Sequence, residues 1–234
     1  MESIYVPIIN SFSSDCVVID DEFKHIRALR ININERMIIT NGIGLSVIAE
    51  LRSIDKSSAT FHIIKELATN NENEFISSLA VGILDNKDRM EFAVEKAVEL
   101  GINSVYPLQS RYTQKSKTNT ARLMSKSISA MKQCKRSYLP EIFEPVNLKS
   151  LRKIAEGFSN VILLDESGTK PAFEIKSHSV LMIVGPEGGF SVEETNEMSS
   201  WKNLTTWTLG ARRLRAETAV TTGLALINHL LETE

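Results

Sequence analysis

The segment from Val180 to Glu217 constrains the fold of this chain more than any other part of the sequence. It opens with an apolar run, Val180 to Val184, which is typical of a strand buried on both faces of a parallel sheet. The run ends at Gly185-Pro186, and Ser191 with Glu194 forms the capping-box pattern of a helix start. A strand, a glycine turn and a helix N-terminus together present free backbone N–H groups where α/β proteins bind ligands.

The same order of signals returns towards the C-terminus. Residues 204–209 predict a second strand, and Gly210 interrupts it. A basic loop with Arg212, Arg213 and Arg215 then leads into a helix predicted over about residues 216–231.

Composition and missing motifs exclude several classes of protein. The 234 residues are 42% hydrophobic with a net charge of -2, which suits one large or two modest domains without a global basic character. Cys16 and Cys134 match no metal or disulfide spacing, so we predict no metal site and a cytoplasmic protein. No signal peptide or membrane span is expected. P-loop, GxSxG and HExxH motifs are absent.

Residues 1 to about 68 read as short strands with one basic helix. The predicted strands are Ile4–Ile8, Cys16–Ile19, Met37–Thr40, Leu45–Leu51 and Ala59–Ile64. Asn41-Gly42 is a strong hairpin signal, and residues 22–30 predict the short helix. A small barrel of this kind is a common RNA-binding appendage.

The polar run at residues 69–74 (TNNENE) predicts a boundary between a domain over residues 1–70 and one over residues 71–234. Beyond it strands and helices alternate, with strands near 75–84, 105–109, 161–164, 180–184 and 204–209. Asp88 and Glu91 are predicted to cap a helix that ends at Gly101. This alternation indicates a mostly parallel sheet and an α/β fold.

Residues 101–140 carry an uninterrupted basic signal. They contain no Asp or Glu, and their cations are Arg111, Lys115, Lys117, Arg122, Lys126, Lys132, Lys135 and Arg136. On a helix predicted over residues 120–136, Arg122, Lys126, Gln133 and Arg136 share the polar side. We interpret this side as a phosphate-binding surface, with an ordinary solvated face as the alternative.

Two motifs together resemble one protein family. GPEGGFS at residues 185–191, followed by LGARRLRAETA at residues 209–219, resembles the RsmE family of 16S rRNA uridine-N3 methyltransferases in the SPOUT superfamily. The segment DRMEFAVEKAVELGI at residues 88–102 and the region around His25, Arg30 and Asn41-Gly42 are similar to that family too. The alternative is a buried strand, a tight turn and a packing Arg–Glu pair in another α/β protein.

The resemblance implies a fold and an activity. The expected fold is α/β, with a small N-terminal PUA-like β-barrel followed by a SPOUT α/β domain that ends in a C-terminal trefoil knot. The expected activity is S-adenosylmethionine-dependent methylation of uridine N3 in 16S rRNA, with the small ribosomal subunit as partner. A non-catalytic RNA-binding or ribosome-assembly factor, and a SPOUT methyltransferase acting on another RNA, remain as alternatives.

The resemblance also implies site residues. The cofactor residues would be Leu164, Asp165, Glu166, Val184, Gly185, Pro186, Glu187, Gly188, Gly189, Leu209, Gly210, Arg212, Leu214 and Thr218. Arg215 would hold the substrate or balance the charge of the uridine anion, and Glu217 would orient that arginine or simply begin the helix as a first-turn carboxylate. The RNA-binding residues would be His25, Arg27, Arg30, Arg111, Arg122, Lys126, Gln133 and Arg136, with a purely structural role as the alternative for His25.

A homodimer is expected as well, because SPOUT proteins resemble one another in pairing through the knotted domain. The last helix offers an apolar stripe for such an isologous interface, made of Val220, Gly223, Leu224, Ile227 and Leu231.

Overall fold

The computed structural model describes residues 1–11, 13–68, 71–113, 118–171 and 179–232. The chain divides into two units, one of Met1–Glu72 with Ile128–Leu139 and the other of Asn73–Ser127 with Pro140–Glu234. Residues 69 and 70 of the predicted boundary lie outside the described residues, as do Lys115 and Lys117. The first unit therefore takes in a later segment of the chain, whereas the sequence analysis predicts a continuous first domain.

The first unit contains a five-stranded sheet and one helix. Its elements are β1 (Ser3–Tyr5), β2 (Asp15–Val18), α1 (Asp20–Leu29), β3 (Arg36–Thr40), β4 (Ser46–Ile54) and β5 (Ala59–Leu67). The strand order is β1-β3-β4-β5-β2, with β1 and β3 parallel and the other neighbours antiparallel. Its core is built from the buried residues of these strands and from Phe23 and Ile26 of α1.

The predicted Asn41-Gly42 hairpin joins β3 to β4. The strands pair up to Thr40 and Ser46, so the connection is longer than a two-residue turn. The Asn41 side-chain oxygen accepts hydrogen bonds from the backbone N–H groups of Ile43 (3.0 Å) and Leu45 (3.1 Å). Gly42 has a φ of 74°, a conformation that glycine adopts without steric cost. Asn41 therefore supplies a hydrogen-bond acceptor for the turn, and Gly42 supplies its residue with positive φ.

The second unit is built on a parallel sheet. Its elements begin with β6 (Ile76–Gly82), α2 (Lys87–Glu99), β7 (Ser104–Gln109), β8 (Glu141–Ile142), β9 (Val146–Asn147) and α4 (Leu148–Ala155). They continue with β10 (Asn160–Thr169), β11 (Ser179–Val184), α5 (Val192–Ser199), β12 (Leu204–Trp207) and α6 (Ala216–Glu232). Helix α3 (Thr120–Cys134) follows β7 in the chain, and its residues from Ile128 onward belong to the first unit. The strand order is β12-β10-β11-β6-β7-β8, β9 also pairs with β7, and every pairing is parallel.

Strand β11 is the centre of this unit. Its residues from Val180 to Ile183 are inaccessible to solvent, because β10 and β6 flank the strand and helices cover both faces. Leu181 and Ile183 belong to the core cluster that includes residues of α4 and α5. Met182 points the other way, where a Cβ added to Gly223 of α6 would lie 2.6 Å from its sulfur. The prediction of a strand buried on both faces is confirmed.

The apolar stripe of α6 that was predicted to face a partner chain packs against the sheet of its own chain. Val220, Leu224 and Ile227 are fully buried, and Gly223 is the point of close approach between α6 and the sheet. These side chains are needed to cover β11, so a dimer surface made of them is a wrong prediction. No helix in the described part of the chain is long and apolar enough to cross a membrane.

Helix α2 begins earlier than predicted. The Asn86 side-chain oxygen accepts hydrogen bonds from the backbone N–H groups of Asp88 (2.9 Å) and Arg89 (3.2 Å), so Asn86 is the N-cap residue. Glu91 is buried and pairs with Arg122 instead of helping to cap the helix. The predicted helix end at Gly101 fits the structure, because Gly101 follows Leu100 with a φ of 85°.

Candidate active site

The carboxyl ends of β10, β11 and β12, which are neighbours in the sheet, open on a cleft of about 880 Å³. Three segments line it: residues 164–167 in the second half of β10, and the loops at residues 184–190 and 207–217 that follow β11 and β12. Arg89 near the start of α2 also lines it. The family resemblance implies one cofactor site made from these three segments, and the structure brings them together. No cluster of His, Cys, Asp and Glu suited to a metal ion occurs among the described residues.

The turn after β11 is fixed at both ends. The Gly189 N–H donates to the Pro186 carbonyl oxygen (2.9 Å), which closes the turn. Beyond it the capping box forms as predicted: the Glu194 N–H donates to the Ser191 hydroxyl (3.2 Å), and the Ser191 N–H donates to the Glu194 carboxylate (2.8 Å). A Cβ added to Gly82 would collide with Pro186, so β6 also supports this turn closely.

Two glycines of the cleft leave space beside their backbone. Gly189 has a φ of 70° and Gly210 a φ of 120°, and a Cβ added to either would meet no atom within 4 Å. Both line the cleft, so a ligand can approach the backbone closely at these two points. Apolar side chains form the adjoining walls; they are Leu164, Phe190, Trp207, Leu209 and Leu214.

The loop after β12 carries three arginines, and they differ in how they are paired. Arg213 donates to the Glu187 carbonyl oxygen (3.4 Å) and lies 3.7 Å from the Glu166 carboxylate, so it joins all three loops. Arg212 and Arg215 also line the cleft, and neither forms an ion pair with another described residue. The cleft therefore presents two positive charges that the described part of the chain does not neutralise.

The carboxylate of Glu217 faces Arg89 across the cleft wall. The Arg89 Nε lies 3.7 Å from the Glu217 Oε1, and the Glu217 side chain is 13% exposed. The prediction that Glu217 orients Arg215 is therefore wrong, because within the described chain its ionic partner comes from α2. The alternative, a carboxylate in the first turn of α6, fits the structure. Arg89 lies outside the motifs, although it follows the carboxyl end of the parallel strand β6, a position where α/β proteins place ligand-binding residues.

Most residues of the predicted cofactor set line this cleft. The exceptions are Gly188 and Thr218, which are exposed and do not line it. A Cβ added to Gly188 would lie 3.0 Å from the Tyr112 Cβ, so this glycine makes room for a neighbouring side chain. Thr218 lies in the first turn of α6 beside Glu217. Phe190 and Trp207 are lining residues that the sequence analysis did not select.

The chemistry of the cleft fits an adenine nucleoside with a charged tail, such as S-adenosylmethionine. Glycine turns offer backbone donors and acceptors, and the apolar walls suit a flat aromatic base. Asp165 is held in place because its Oδ1 accepts from the Ser167 N–H (2.9 Å) and hydroxyl (2.5 Å), and its carboxylate can accept from a ribose hydroxyl. The residues present therefore match the cofactor that the family resemblance implies.

The cations of the predicted basic helix are largely neutralised by acids from elsewhere in the sequence. Within the second unit, Arg122 pairs with Glu91, and Lys126 Nζ lies 3.7 Å from the same carboxylate. Arg111 lies 2.9 Å from Glu193. These three side chains thus already form ion pairs with carboxylates, which weakens the prediction of a phosphate-binding surface.

Arg136 is a wrong prediction as an RNA-binding residue. Helix α3 ends at Cys134, Lys135 adopts a left-handed conformation (φ 61°), and Arg136 turns inward with 2% of its side chain exposed. Its Nη2 donates to Glu72 (2.8 Å), which also accepts from the backbone N–H groups of Ser137 (2.8 Å) and Tyr138 (2.9 Å). This buried pair holds the segment 128–139 within the first unit.

The remaining predicted RNA-binding residues are accessible. Arg27 and Arg30 of the first unit are exposed, His25 is half-buried, and Gln133 is exposed. Arg27 lies over the Phe23 ring at 6.0 Å, and neither Arg27 nor Arg30 forms an ion pair with a residue that the structure describes. The first unit therefore keeps two free cations on and just after α1.

The start of α5 carries a stabilised anion. The pKa of the Glu193 carboxyl lies below its ordinary value, first because its own backbone N–H donates to it, and then because of Ser191 and Arg111. A negative charge in the first turn also suits the helix dipole. The carboxylate stays ionised at neutral pH and fixes the loop of Arg111 beside the glycine turn.

Comparisons with known proteins agree with this architecture. A family model described as an RNA methyltransferase domain matches residues 71–228, and one described as an RNA methyltransferase PUA domain matches residues 18–64. The predicted PUA-like domain followed by an α/β methyltransferase domain is thereby confirmed. The trefoil knot stays a prediction.

Individual relatives cover nearly the whole chain. A ribosomal RNA small subunit methyltransferase E from Aquifex aeolicus is 33% identical over 89% of this chain and 91% of its own. The crystal structure of a ribosomal RNA small subunit methyltransferase E from Neisseria gonorrhoeae bound to S-adenosylmethionine is 27% identical, covers 98% of both chains and has a TM-score of 0.87. A methyltransferase structure from Legionella pneumophila with the same cofactor is 27% identical, covers 97% of both chains and also has a TM-score of 0.87.

Proposed function

Because this chain belongs to the family of RNA methyltransferases that includes ribosomal RNA small subunit methyltransferase E, we propose that it methylates N3 of a uridine in 16S rRNA with S-adenosylmethionine as cofactor. One observation carries the proposal: three strand-end loops with the expected glycines and arginines converge on a single cleft. The fold alone would not be enough, because one fold hosts many activities.

The cleft residues divide into those that bind the cofactor and those that face the substrate. Gly189 and Gly210 would let the backbone contact the cofactor, and Asp165 would accept from its ribose. When bound, the cofactor supplies a methyl group on a sulfonium, and the electron pair of the broken S–C bond stays on sulfur as the N3–C bond forms. The protein mainly aligns the two reactants, and no metal is required.

Uracil N3 must lose its proton before it can attack. A cation close to the ring favours the deprotonated form, because opposite charges stabilise each other more strongly away from bulk water. Arg215 lines the cleft without an ionic partner among the described residues, so its charge is available to the substrate. We assign it the role of a substrate-contacting residue, with Arg212 beside it.

The exposed cations of the first unit would contact the RNA backbone. Arg27 and Arg30 are free of ion pairs within the described chain and can release counterions from phosphates on binding. The match of this unit to a PUA domain of RNA methyltransferases supports that role. A protein acting on small ribosomal subunits would work in the cytoplasm.

We also propose a homodimer, as the family resemblance implies. Its interface cannot rest on Val220, Leu224 and Ile227, which the chain buries itself. The exposed face of α6 and neighbouring surfaces remain for it. Light scattering should give twice the mass of one chain, and a value for a single chain at micromolar concentration would contradict the dimer.

Mass spectrometry of nucleosides from 16S rRNA tests the proposed function. Cells that lack the gene should lose 3-methyluridine from 16S rRNA, and a plasmid copy should restore it. A plasmid copy with Arg215→Ala should restore much less. An unchanged 3-methyluridine content would favour either another RNA substrate or a non-catalytic RNA-binding factor.

A further inference from the structure

Arg89 differs from the other cleft arginines in its origin. It comes from the first turn of α2, after β6, and not from any of the three loops that the motifs select. Its side chain is 33% exposed and reaches the cleft wall beside Glu217. A fourth strand end therefore contributes to the site.

The position of Arg89 does not serve the stability of its own helix. It is the third residue of α2, where the helix dipole disfavours a positive charge. Asp88, one residue earlier, is the kind of residue that this turn favours. A cation kept at an unfavourable position and directed into a cleft indicates a role in that cleft.

The pairing of Arg89 leaves most of its donors available. Its Nε faces Glu217 at 3.7 Å, an ionic contact. A guanidinium carries five N–H donors in a planar fork, and none of the terminal ones donates to another residue in the described ranges. Arg89 thus has one ionic contact, with Glu217, while it lines the cleft and stays 33% exposed.

The other charged groups that line the cleft lie on the three segments described above. The acids are Asp165, Glu166 and Glu187, and the cations are Arg212, Arg213 and Arg215. Asp165 accepts from Ser167, and Glu166 faces Arg213. On α2 itself, Lys87 and Asp88 are exposed and do not line the cleft.

We propose that Arg89 is a catalytic residue that donates its guanidinium fork to a carbonyl oxygen of the target uracil and stabilises the N3 anion. This proposal rests on the proposed function. The N3 proton passes to solvent, the negative charge spreads onto the ring oxygens, and Arg89 balances it. The N3 lone pair then forms the bond to the transferred methyl carbon, and the electrons of the S–C bond remain on sulfur. Glu217 acts as a positioning residue that holds Arg89.

The pH dependence of methyl transfer tests this role. A cation within about 4–6 Å lowers the pKa of an acid, here uracil N3, by about 1–3 units. The methyl-transfer rate should therefore reach its plateau at a lower pH in the wild type than in a variant without the Arg89 charge. In Arg89→Met, which keeps an apolar stem, the pH of half-maximal rate should rise by about one to two units. At pH 7 the rate should fall about tenfold for each unit of that rise. Arg89→Lys should keep a midpoint close to that of the wild type.

A binding measurement without turnover gives a second readout. With S-adenosylhomocysteine in the cleft, the affinity of the wild type for a uridine-containing 16S rRNA fragment should increase as pH rises, because the anion is the form that binds better. Arg89→Met should lose most of this increase. Lys87→Met is the matched control, since it removes an exposed cation two residues away, and should behave as wild type. If Arg89→Met does not fold, Arg89→Gln removes the same charge.

The outcomes of these experiments distinguish the possible roles of Arg89. A folded Arg89→Met with an unshifted pH midpoint would refute the role, whether its rate is normal or low. A loss of S-adenosylmethionine affinity in calorimetry with an unchanged midpoint would assign Arg89 to the cofactor instead. The product nucleoside separates the two proposals: a wild-type product other than 3-methyluridine refutes the proposed function, whereas 3-methyluridine with an unshifted midpoint refutes only the role of Arg89.

Discussion

The cleft of the second unit and the basic stretch at residues 111–136 both stood out in the sequence, yet the structure treats them differently. In the cleft, residues from three separate loops meet as the motifs predict. In the basic stretch, Arg122, Lys132 and Arg136 each find a carboxylate that lies far away in the sequence. The cleft residues therefore meet in the folded chain, whereas the charges of the basic stretch are largely paired with distant carboxylates.

The difference lies in what each signal depends on. A strand followed by a glycine turn and a helix start is local, and a parallel sheet brings such strand ends to one edge without further information. A run of cations says nothing about the acids that will pack against it. Glu22 and Glu72 precede this run by tens of residues and still supply its partners. The predictions below test this contrast, from the largest expected effect to the smallest.

Arg136→Ala should destabilise the protein by about 3–5 kcal/mol, because it leaves Glu72 buried without its ionic partner. Urea unfolding measures the loss. Glu72 is 11% exposed and accepts from two backbone N–H groups as well, so Glu72→Gln should be damaging too. A stable Arg136→Ala variant with weakened RNA binding would restore the original interpretation of this arginine.

Gly189→Val should lower the affinity for S-adenosylmethionine by at least about a hundredfold, or about 2.7 kcal/mol. A β-branched residue is strained at a φ of 70°, and its side chain would project into the cleft. Isothermal calorimetry measures the affinity, and Gly157→Val, at an exposed position outside the cleft, is the matched control. Gly188→Val should have a smaller effect, because Gly188 does not line the cleft.

Arg215→Ala should slow methyl transfer about ten- to a hundredfold, since a hydrogen bond to a charged group is worth about 1.5–3 kcal/mol. Affinity for RNA should change much less, because most of it comes from phosphate contacts elsewhere. Single-turnover rates and filter binding measure the two quantities separately. Equal losses in rate and in RNA affinity would mean that Arg215 serves binding alone.

The salt dependence of RNA binding should distinguish paired from unpaired cations. Changing Arg27 and Arg30 to alanine should flatten the log–log slope by about 0.7–0.9 for each lost phosphate contact. Changing Arg122 and Lys126 should flatten it by less than about one unit in total, because Glu91 already pairs with Arg122 and offsets part of the charge of Lys126. A larger change in the second variant would show that the RNA displaces Glu91.

Local order in the sequence predicted the parallel sheet, the hairpin at Asn41-Gly42 and the capping box at Ser191. The start of α2 was misplaced because Asn86, as good an N-cap residue as Asp88, stands two residues before it and caps the helix. The α6 stripe was assigned to a partner chain because an apolar helix face looks the same whether it covers its own sheet or another subunit. Which of these it covers depends on tertiary packing.

The residues that line the candidate site could largely be predicted from the sequence, whereas the ion pair beside it could not. Gly189 and Leu209 belong to the two motifs, Asp165 was implied by the family resemblance, and all three line the cleft. The partner of Glu217 was not predictable from the LRAET motif, since Arg89 is contributed by a helix that begins far earlier in the chain. Long-range pairs of this kind require the fold to be known.

Transfer of an isotopically labelled methyl group tests the central claim most directly. The purified protein would be incubated with labelled S-adenosylmethionine and small ribosomal subunits from cells that lack the gene, and the 16S rRNA digested to nucleosides. Mass spectrometry should find the label in 3-methyluridine with the wild type and none with Gly189→Val. Label in another nucleoside, or equal label from Gly189→Val, would contradict the assignment of this cleft.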